Sequence, residues 1–560
     1  MKANFKKALC LILCLALSLG LLSACKASKG KGSKKSTSSK NSSSTETVSQ
    51  PENNSSEDFA DDFEEDDVDG DFEDDPTPED EEDPELLFLS ARVQNTVPLS
   101  TRYMGSGSGV YYCYPFLPES FGRTTTNAMA KVEMDRLQNM GVHTVRTMFK
   151  FLWARDEKLN AWNWESAEMQ GVYKWMGEMK KRNIDVMLNP WNFSWLSTQS
   201  GSIPDTNYFS TADFKTNSNR FCAGVAELYR QMFARGYSNA KYLVLFTEPI
   251  HPEEISTAEY DKYIFNAKNL HQTLTAQGLR QNIKIMGPNR ADMDTTLLKR
   301  CVKEADECFD IYSQHRYLSG EDTTADTYYD YADVSIGQLH RDFVATGSKK
   351  PFWSDEFNIQ NAKLQAKGYS NVGFDDEYRG LQQAVGVVYG MNNGFDNLIL
   401  WTLADQLWPG QQNTSTSAGF YDGVSRHGIF WNIQDTMVPK KQYYSYSLLS
   451  KYCGRGGGKT YPSQLSELYS GVYTACMQLE GGDWTFIAVN NNVEDVSLKV
   501  HFEKALGGVK LYRHQYVAAE VQPNIGAQII PANKTILKVQ NSFSDILRGG
   551  SLAVYTTEKG

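Results

Sequence analysis

The sequence predicts an α/β protein: a (β/α)8 TIM barrel with a small C-terminal antiparallel β-sandwich domain. Three features of the 560 residues carry this expectation. Eight short apolar runs recur between residues 109 and 401, each of the kind that forms a strand buried on both faces. Amphipathic segments lie between them, and strands alternating with helices imply parallel pairing. Past about residue 455 the runs shorten, several alternate polar with apolar, and Gly-Gly, Asn-Asn and Pro breaks divide them. That is the pattern of an antiparallel sandwich.

Taken in order, the chain opens with Lys2, Lys6 and Lys7, then an apolar run from Ala8 to Leu22, then Ser23, Ala24 and Cys25. A basic start, a short apolar core and small residues at a cleavage site describe a secretory signal. The run is too short for a comfortable membrane span. Its ending resembles the bacterial lipobox. That resemblance implies a lipoprotein signal peptide over residues 1–24, lipidation of Cys25, and anchoring to the outer face of a bacterial cell membrane. Ordinary secretion with an incidental cysteine is the plainer alternative.

Residues 25–85 read as a linker. Residues 26–50 are almost wholly Lys, Ser, Thr, Gly and Asn, and residues 51–85 hold twenty Asp or Glu with no Lys or Arg. Neither stretch has the apolar surface to offset ordering entropy, so a disordered, self-repelling spacer is expected. The chain's formal charge of −12 is therefore local: leader and linker account for all of it, and residues 86–560 are neutral. A neutral body gives no sign of nucleic acid or a polyanionic partner. Six of the nine cysteines lie in that body without a CxxC pair, so neither zinc nor a disulfide framework is indicated.

The barrel strands are expected at Gly109–Tyr114, Thr144–Phe149, Asp185–Asn189, Tyr242–Thr247, Ile283–Gly287, Phe309–Gln314, Pro351–Asp355 and Asn397–Trp401. Helices are expected at Ala128–Met140, Glu165–Arg182, Phe221–Arg235, Ala258–Gln277, Thr295–Ala305 and Tyr378–Asn392. Residues 86–454 would form the barrel domain and 455–560 the sandwich, with Leu86–Val93 able to add a strand to the latter. A two-lobed transport-type binding protein shares the parallel strands, but eight in one uninterrupted series favour a barrel.

Active sites of such barrels sit at the C-terminal strand ends. Read there, strand two carries Arg146, and strand three Asn189 with Trp191 just beyond. Strand four runs into Thr247, Glu248 and Pro249, and strand six is followed by His315 and Tyr317. Strand seven ends on Asp355 and Glu356, and strand eight on Trp401. Each has a bland reading: Arg146 pairing a buried acid, Trp401 in the core, His315 a satisfied structural histidine. Their joint placement is the signal. Two carboxylates face one mouth, with a cation and aromatic rings between them. Cleaving an acetal needs a proton for the leaving oxygen and an anion for the oxocarbenium-like carbon. The stretch Ala404–Gln442 adds Trp408, Phe420, Tyr421, His427, Phe430 and Trp431 as a wall for sugar subsites. No HxH or HExxH motif supports a metal hydrolase.

This set resembles the clan A glycoside hydrolases, most of all the cellulase-type family 5 pattern. That pattern has Arg on strand two, Asn-Glu-Pro on strand four, His-x-Tyr on strand six, Glu on strand seven and Trp on strand eight. Over about residues 100–450 the resemblance implies Glu248 as general acid/base and Glu356 as nucleophile, in a retaining mechanism without cofactor. It places Arg146, Asn189, Trp191, Thr247, His315, Tyr317, Trp401 and Trp408 at the substrate. Two departures bear on the sugar: Thr247 stands where Asn is usual, and Asn189 lies where strand three usually supplies His. The partners implied are a carbohydrate substrate and, through Cys25, a membrane; no nucleic acid, no metal and a monomer are expected. The rival is a non-catalytic carbohydrate-binding surface lipoprotein on a degenerate barrel.

Overall fold

Eight parallel strands close into a barrel in the computed structural model. After β1 (Leu87–Val93) and β2 (Ser100–Tyr103), the barrel runs β3 (Ser106–Val110), β4 (Thr144–Lys150), β5 (Asp185–Trp191) and β6 (Ala240–Val244). It continues β7 (Lys284–Arg290), β8 (Ile311–Ser319), β9 (Phe352–Gln360) and β10 (Asn397–Leu400), and β10 pairs back onto β3. The structure describes residues 86–558 apart from 111–115, 117–126, 157–160, 192–213, 250–256, 320–335, 361–378, 408–419, 422–423, 426–427, 429–437, 455–456, 468 and 470. Cys25, the leader, the linker, Trp408 and the Trp191 side chain lie outside the described residues.

All eight expected strands are present, some displaced. The first starts three residues early, at Ser106, because its sequence opens Ser-Gly-Ser-Gly-Val, which no apolar-run reading selects; the expected residues 111–114 lie outside the described residues. Its glycines are there for close approach: a Cβ on Gly109 would sit 2.5 Å from the Trp401 ring. Helices α1 (Asn127–Asn139), α2 (Ala167–Lys181), α3 (Phe214–Ala234), α4 (Thr257–Ala276) and α5 (Thr296–Ala305) follow the predicted amphipathic segments. Helix α6 (Gln338–Ala345) is additional, α7 (Arg379–Asn392) was expected, and α8 (Lys441–Tyr452) is again additional. Inside the barrel, Met187, Tyr242, Val244, Met286, Ile311, Trp353 and Ile399 make an apolar plug. It is the dry floor on which the polar strand ends stand.

The sandwich also takes chain from the front of the molecule. One sheet has the order β12-β1-β15-β18, with β12 (Ser463–Leu465), β15 (Val496–Phe502) and β18 (Ser542–Leu547). The other sheet contains β2, β11 (Gly458–Tyr461), β13 (Val472–Leu479) and β14 (Trp484–Asn490). It is completed by β19 (Ser551–Thr556), β16 (Val509–Val517) and β17 (Ala532–Val539). Residues 87–103 thus belong to the sandwich, and the barrel begins at β3 rather than at residue 86.

The central strands β13 and β14 of the seven-stranded sheet are buried on both faces. Tyr473, Ala475, Met477, Ile487 and Val489 join the core of the barrel and its helices. Their strand neighbours Val472, Cys476, Phe486 and Ala488 join the core between the two sheets. Helix α8 is wedged at this junction: the Tyr446 hydroxyl donates to the Gly107 carbonyl of β3 at 2.7 Å, and that of Tyr443 to Ala527 at 2.9 Å. Lys440, at its N-cap, is paired with Asp405 at 2.8 Å with both side chains buried, which joins the start of α8 to the chain just past β10. Five body cysteines, Cys222, Cys301, Cys308, Cys453 and Cys476, are free and buried.

Candidate active site

Two irregularities in the barrel build the site. In β9, Ser313 of β8 faces Trp353 while His315 faces Glu356, so two residues of β8 span three of β9. The same extra residue shows against β10, where Ser354 pairs with Leu398 and Phe357 with Leu400. A bulge of this kind re-aims side chains. In a regular strand Asp355 and Glu356 would face opposite sides. Here both carboxylates reach Arg146. Strand β7 carries a matching bulge: Ser313 pairs with Pro288 but Gln314 with Arg290, and the surplus residue is Asn289 at φ +66°. Asn tolerates the left-handed region, and its amide then reaches Asp355 and, at 3.1 Å, the Ser313 hydroxyl.

Arg146, wholly buried on β4, is the hub. Its guanidinium pairs with Glu356, lies 3.4 Å from Asp355, and donates to Asn189 at 2.9 Å and to the Thr247 hydroxyl at 3.3 Å. Its Cζ lies 5.4 Å from the centroid of the Trp401 ring, a cation–π contact. The other oxygen of Glu356 accepts from the Tyr317 hydroxyl at 2.6 Å. Arg146 and Tyr317 therefore fix both oxygens of Glu356.

Glu248 is reached differently. The fourth strand ends at Val244, and residues 245–248 bend over the barrel rim, where the Glu248 amide donates to the Asn289 carbonyl at 3.1 Å. Glu248 has φ +46°, a left-handed conformation that costs an ordinary residue about 1–3 kcal/mol and that clusters at active sites. Its side chain is 47% exposed to the mouth, and Oε1 lies 2.9 Å from Nδ1 of His315. Burial pushes the Glu248 pKa up, but the hydrogen bond and charge of His315, with the charge of Arg146, outweigh it and hold the group below its usual range. The same balance acts on Asp355: burial is outweighed by His315, Arg146 and Asn289, which take it down to about 2. His315 itself is wholly buried, and burial disfavours its charge, yet Glu356, Asp355 and Glu248 push its pKa up to about 10.

Of the residues expected at the site, Arg146, Asn189, Thr247, Glu248, His315, Tyr317, Glu356 and Trp401 are brought together. Asn189 and Thr247 are spent on each other, with the Thr247 hydroxyl donating to the Asn189 carbonyl oxygen at 2.6 Å. Sequence reasoning passed over Asn289, because the fifth strand was expected to end at Gly287. It saw Asp355 without a partner, and it missed Asn358, whose amide donates to the Trp401 carbonyl while Arg379 donates to its oxygen at 3.1 Å. Donor atoms of Glu248, His315 and Glu356 all lie within 4.8 Å of one another, a set that could hold a metal ion. A guanidinium on Glu356 and a proton on His315 both oppose a cation there.

Gly109 supports this arrangement from below. Gly109→Ala should drive a methyl into the Trp401 ring, destabilising the fold by about 1–3 kcal/mol and lowering kcat/KM more than stability alone explains. Chemical denaturation beside steady-state kinetics checks this.

No protein-family model matches the sequence, and no curated protein matches it. Solved structures do match in shape. The catalytic domain of GH30 xylanase C from Talaromyces cellulolyticus is 11% identical over 83% of this chain and 99% of its own, with a TM-score of 0.57. A GH30 endoxylanase from Clostridium papyrosolvens C71 is 14% identical over 83% and 99%, at 0.55. The thermostable GH51 α-L-arabinofuranosidase from Thermotoga petrophila RKU-1 is 15% identical over 84% and 100%, at 0.54. At these identities the likeness is one of fold. The chain has the barrel-and-sandwich fold of clan A glycoside hydrolases. The three neighbours come from families 30 and 51, not from family 5.

Proposed function

We propose that the protein is a retaining glycoside hydrolase that cleaves β-linked poly- or oligosaccharides by double displacement at the bacterial cell surface. One observation carries the reading: oxygens of Glu248 and Glu356, from opposite strands, approach within 4.8 Å across the mouth. Retention uses carboxyls about 5–5.5 Å apart, whereas inversion needs about 6.5–9.5 Å to admit water. Glu356, gripped by Arg146 and Tyr317, is aimed to attack the anomeric carbon, while half-exposed Glu248 meets the leaving oxygen. Water then enters against Glu248 and releases the sugar with its configuration kept. Two of the structural neighbours are xylanases, which supports a β-linked backbone as the substrate class.

Thr247 shapes specificity in this reading. Its hydroxyl is turned to Asn189, so it offers the sugar 2-hydroxyl less than an Asn amide at that position would. The experiment is a panel of aryl glycosides and β-linked polysaccharides, with the anomer first released followed by proton NMR. Retained configuration supports the reading, inverted product removes the double displacement, and binding without cleavage favours the carbohydrate-binding rival. Run on intact cells and on their supernatant, the same panel reports whether the lipobox-like leader keeps the enzyme at the surface.

A further inference from the structure

The His315 ring has no exposed surface, yet four charged groups from three directions converge on it. Glu248, beyond β6, lies 2.9 Å from Nδ1, and Glu356 of β9 lies 3.8 Å from the same atom. Asp355 of β9 lies 3.7 Å from Nε2, and the Arg146 guanidinium of β4 lies 3.5 Å from it. Asn289 of β7 and the Tyr317 phenol of β8 complete the surroundings as neutral groups, bonded to Asp355 and Glu356. Three carboxylates outweigh one guanidinium, so the ring is a place where a proton is kept. Asp355 is wholly buried beneath the mouth. Its carboxylate lies under His315, opposite Glu248.

We propose that Asp355, His315 and Glu248 form a proton-holding chain, in which the proton used for leaving-group departure rests on Nδ1 of His315 in the free enzyme and moves to Glu248 when substrate covers the mouth. The proposal rests on the reading of Glu248 as acid/base. On binding, substrate strips water from the half-exposed Glu248 carboxylate, which disfavours its charge. As Glu356 bonds to the anomeric carbon, it loses the charge that helped hold the proton on the ring. The Nδ1–H bond then breaks and Oε1–H forms across 2.9 Å. Oε1–H in turn gives its proton to the glycosidic oxygen, which keeps the electron pair of the breaking C–O bond. In the second half, Glu248 takes a proton from the attacking water, the bond to Glu356 breaks with its pair returning to the carboxylate, and the proton goes back to Nδ1. His315 and Asp355 act through Glu248 and are positioning residues.

The chain has a signature that a scaffold role lacks. An isolated carboxylic acid loses its proton in the carboxyl range, so it sets a basic limb there. A His315–Glu248 pair keeps one proton until the histidine itself titrates, at about 10. The wild-type kcat/KM on a phenyl glycoside of the sugar found by the panel should therefore hold to above pH 8. In His315→Gln the limb should fall by at least about two pH units. Asp355→Asn should move it the same way by about one unit, the effect of one nearby charge. With a dinitrophenyl glycoside, which needs no proton, the loss in His315→Gln should be clearly smaller than on the phenyl glycoside.

A reading independent of activity comes from nitrogen-15 histidine labelling. Among the eight histidines, one ring should still carry two N–H protons at pH 8, and it should vanish in His315→Gln. A wild-type basic limb below pH 7, a His315 ring neutral at pH 8, or equal losses on both substrates at every pH would overturn the chain and leave Glu248 and Glu356 in place. A wild type that cleaves nothing would instead remove the glycosidase reading.

Discussion

Glu356→Gln is expected to leave a folded, sugar-binding protein whose kcat has fallen by on the order of 10⁵-fold or more, the loss typical of removing a sole nucleophile. The amide oxygen keeps an acceptor for Tyr317 or Arg146, and the buried guanidinium retains Asp355, Asn189 and Thr247. What disappears is the carboxylate placed, among the described residues, to form a glycosyl ester. A 2-fluoro glycoside with a good leaving group should label the wild type, seen as added mass on the intact protein, and leave the variant unlabelled. Glu356→Ala should lose activity equally but at a further cost of about 3–5 kcal/mol in stability, because it strips one partner from a buried pair. Full activity in either variant would remove the site itself.

Glu248→Ala should behave in a way that depends on the leaving group. Without a proton donor, a substrate with a poor leaving group should lose about 10²–10⁴-fold, the usual range for general acid catalysis. A dinitrophenyl glycoside needs no proton, so its first step should survive and the glycosyl-enzyme should accumulate, because water has lost its base. A burst of phenolate followed by a slow steady state is the expected trace. Azide needs no base and is small enough for the space left by the side chain. It should restore turnover and emerge as the β-glycosyl azide if the substrate is a β-glycoside. An equal loss on both substrates, with no azide effect, would leave Glu248 without its assigned role.

The barrel was legible because its strands are buried on both faces, which writes them as unbroken apolar runs of the right length and spacing. Strand β3 was misplaced for the opposite reason, since at its glycines the packing depends on a missing side chain. Helix α8 was invisible as a helix: Gln442 through Ser450 and Tyr452 are all buried, so Lys-Gln-Tyr-Tyr-Ser-Tyr-Ser shows no polar face. Among the sandwich strands, β15 could be read directly from Val-Ser-Leu-Lys-Val-His-Phe, whose alternation matches one dry and one wet face. At the site, residue types at strand ends marked the carboxylates, the guanidinium and the rings. The bulges did not show. A one-residue insertion in β9 decides whether Asp355 sees Arg146, and nothing in Ser-Asp-Glu-Phe announces it. The pairing of His315 with Glu248 likewise joins residues 67 apart, through a bend that no local pattern encodes.

The central strands buried on both faces set how this protein can be divided. A carbohydrate-binding appendage on a flexible hinge can be cut off, exchanged or duplicated, because little apolar surface crosses the hinge. Here Tyr473, Ala475, Met477, Ile487 and Val489 belong to the same core as the barrel helices, and α8 is pinned to both partners. A chain ending near residue 454 would strand that apolar surface in water and leave β1 and β2 without the strands they pair with. Heat or denaturant should therefore meet one cooperative transition, not two. Recombination that swaps sandwiches among proteins of this fold would have to carry α7, α8 and the N-terminal strands along with the sandwich.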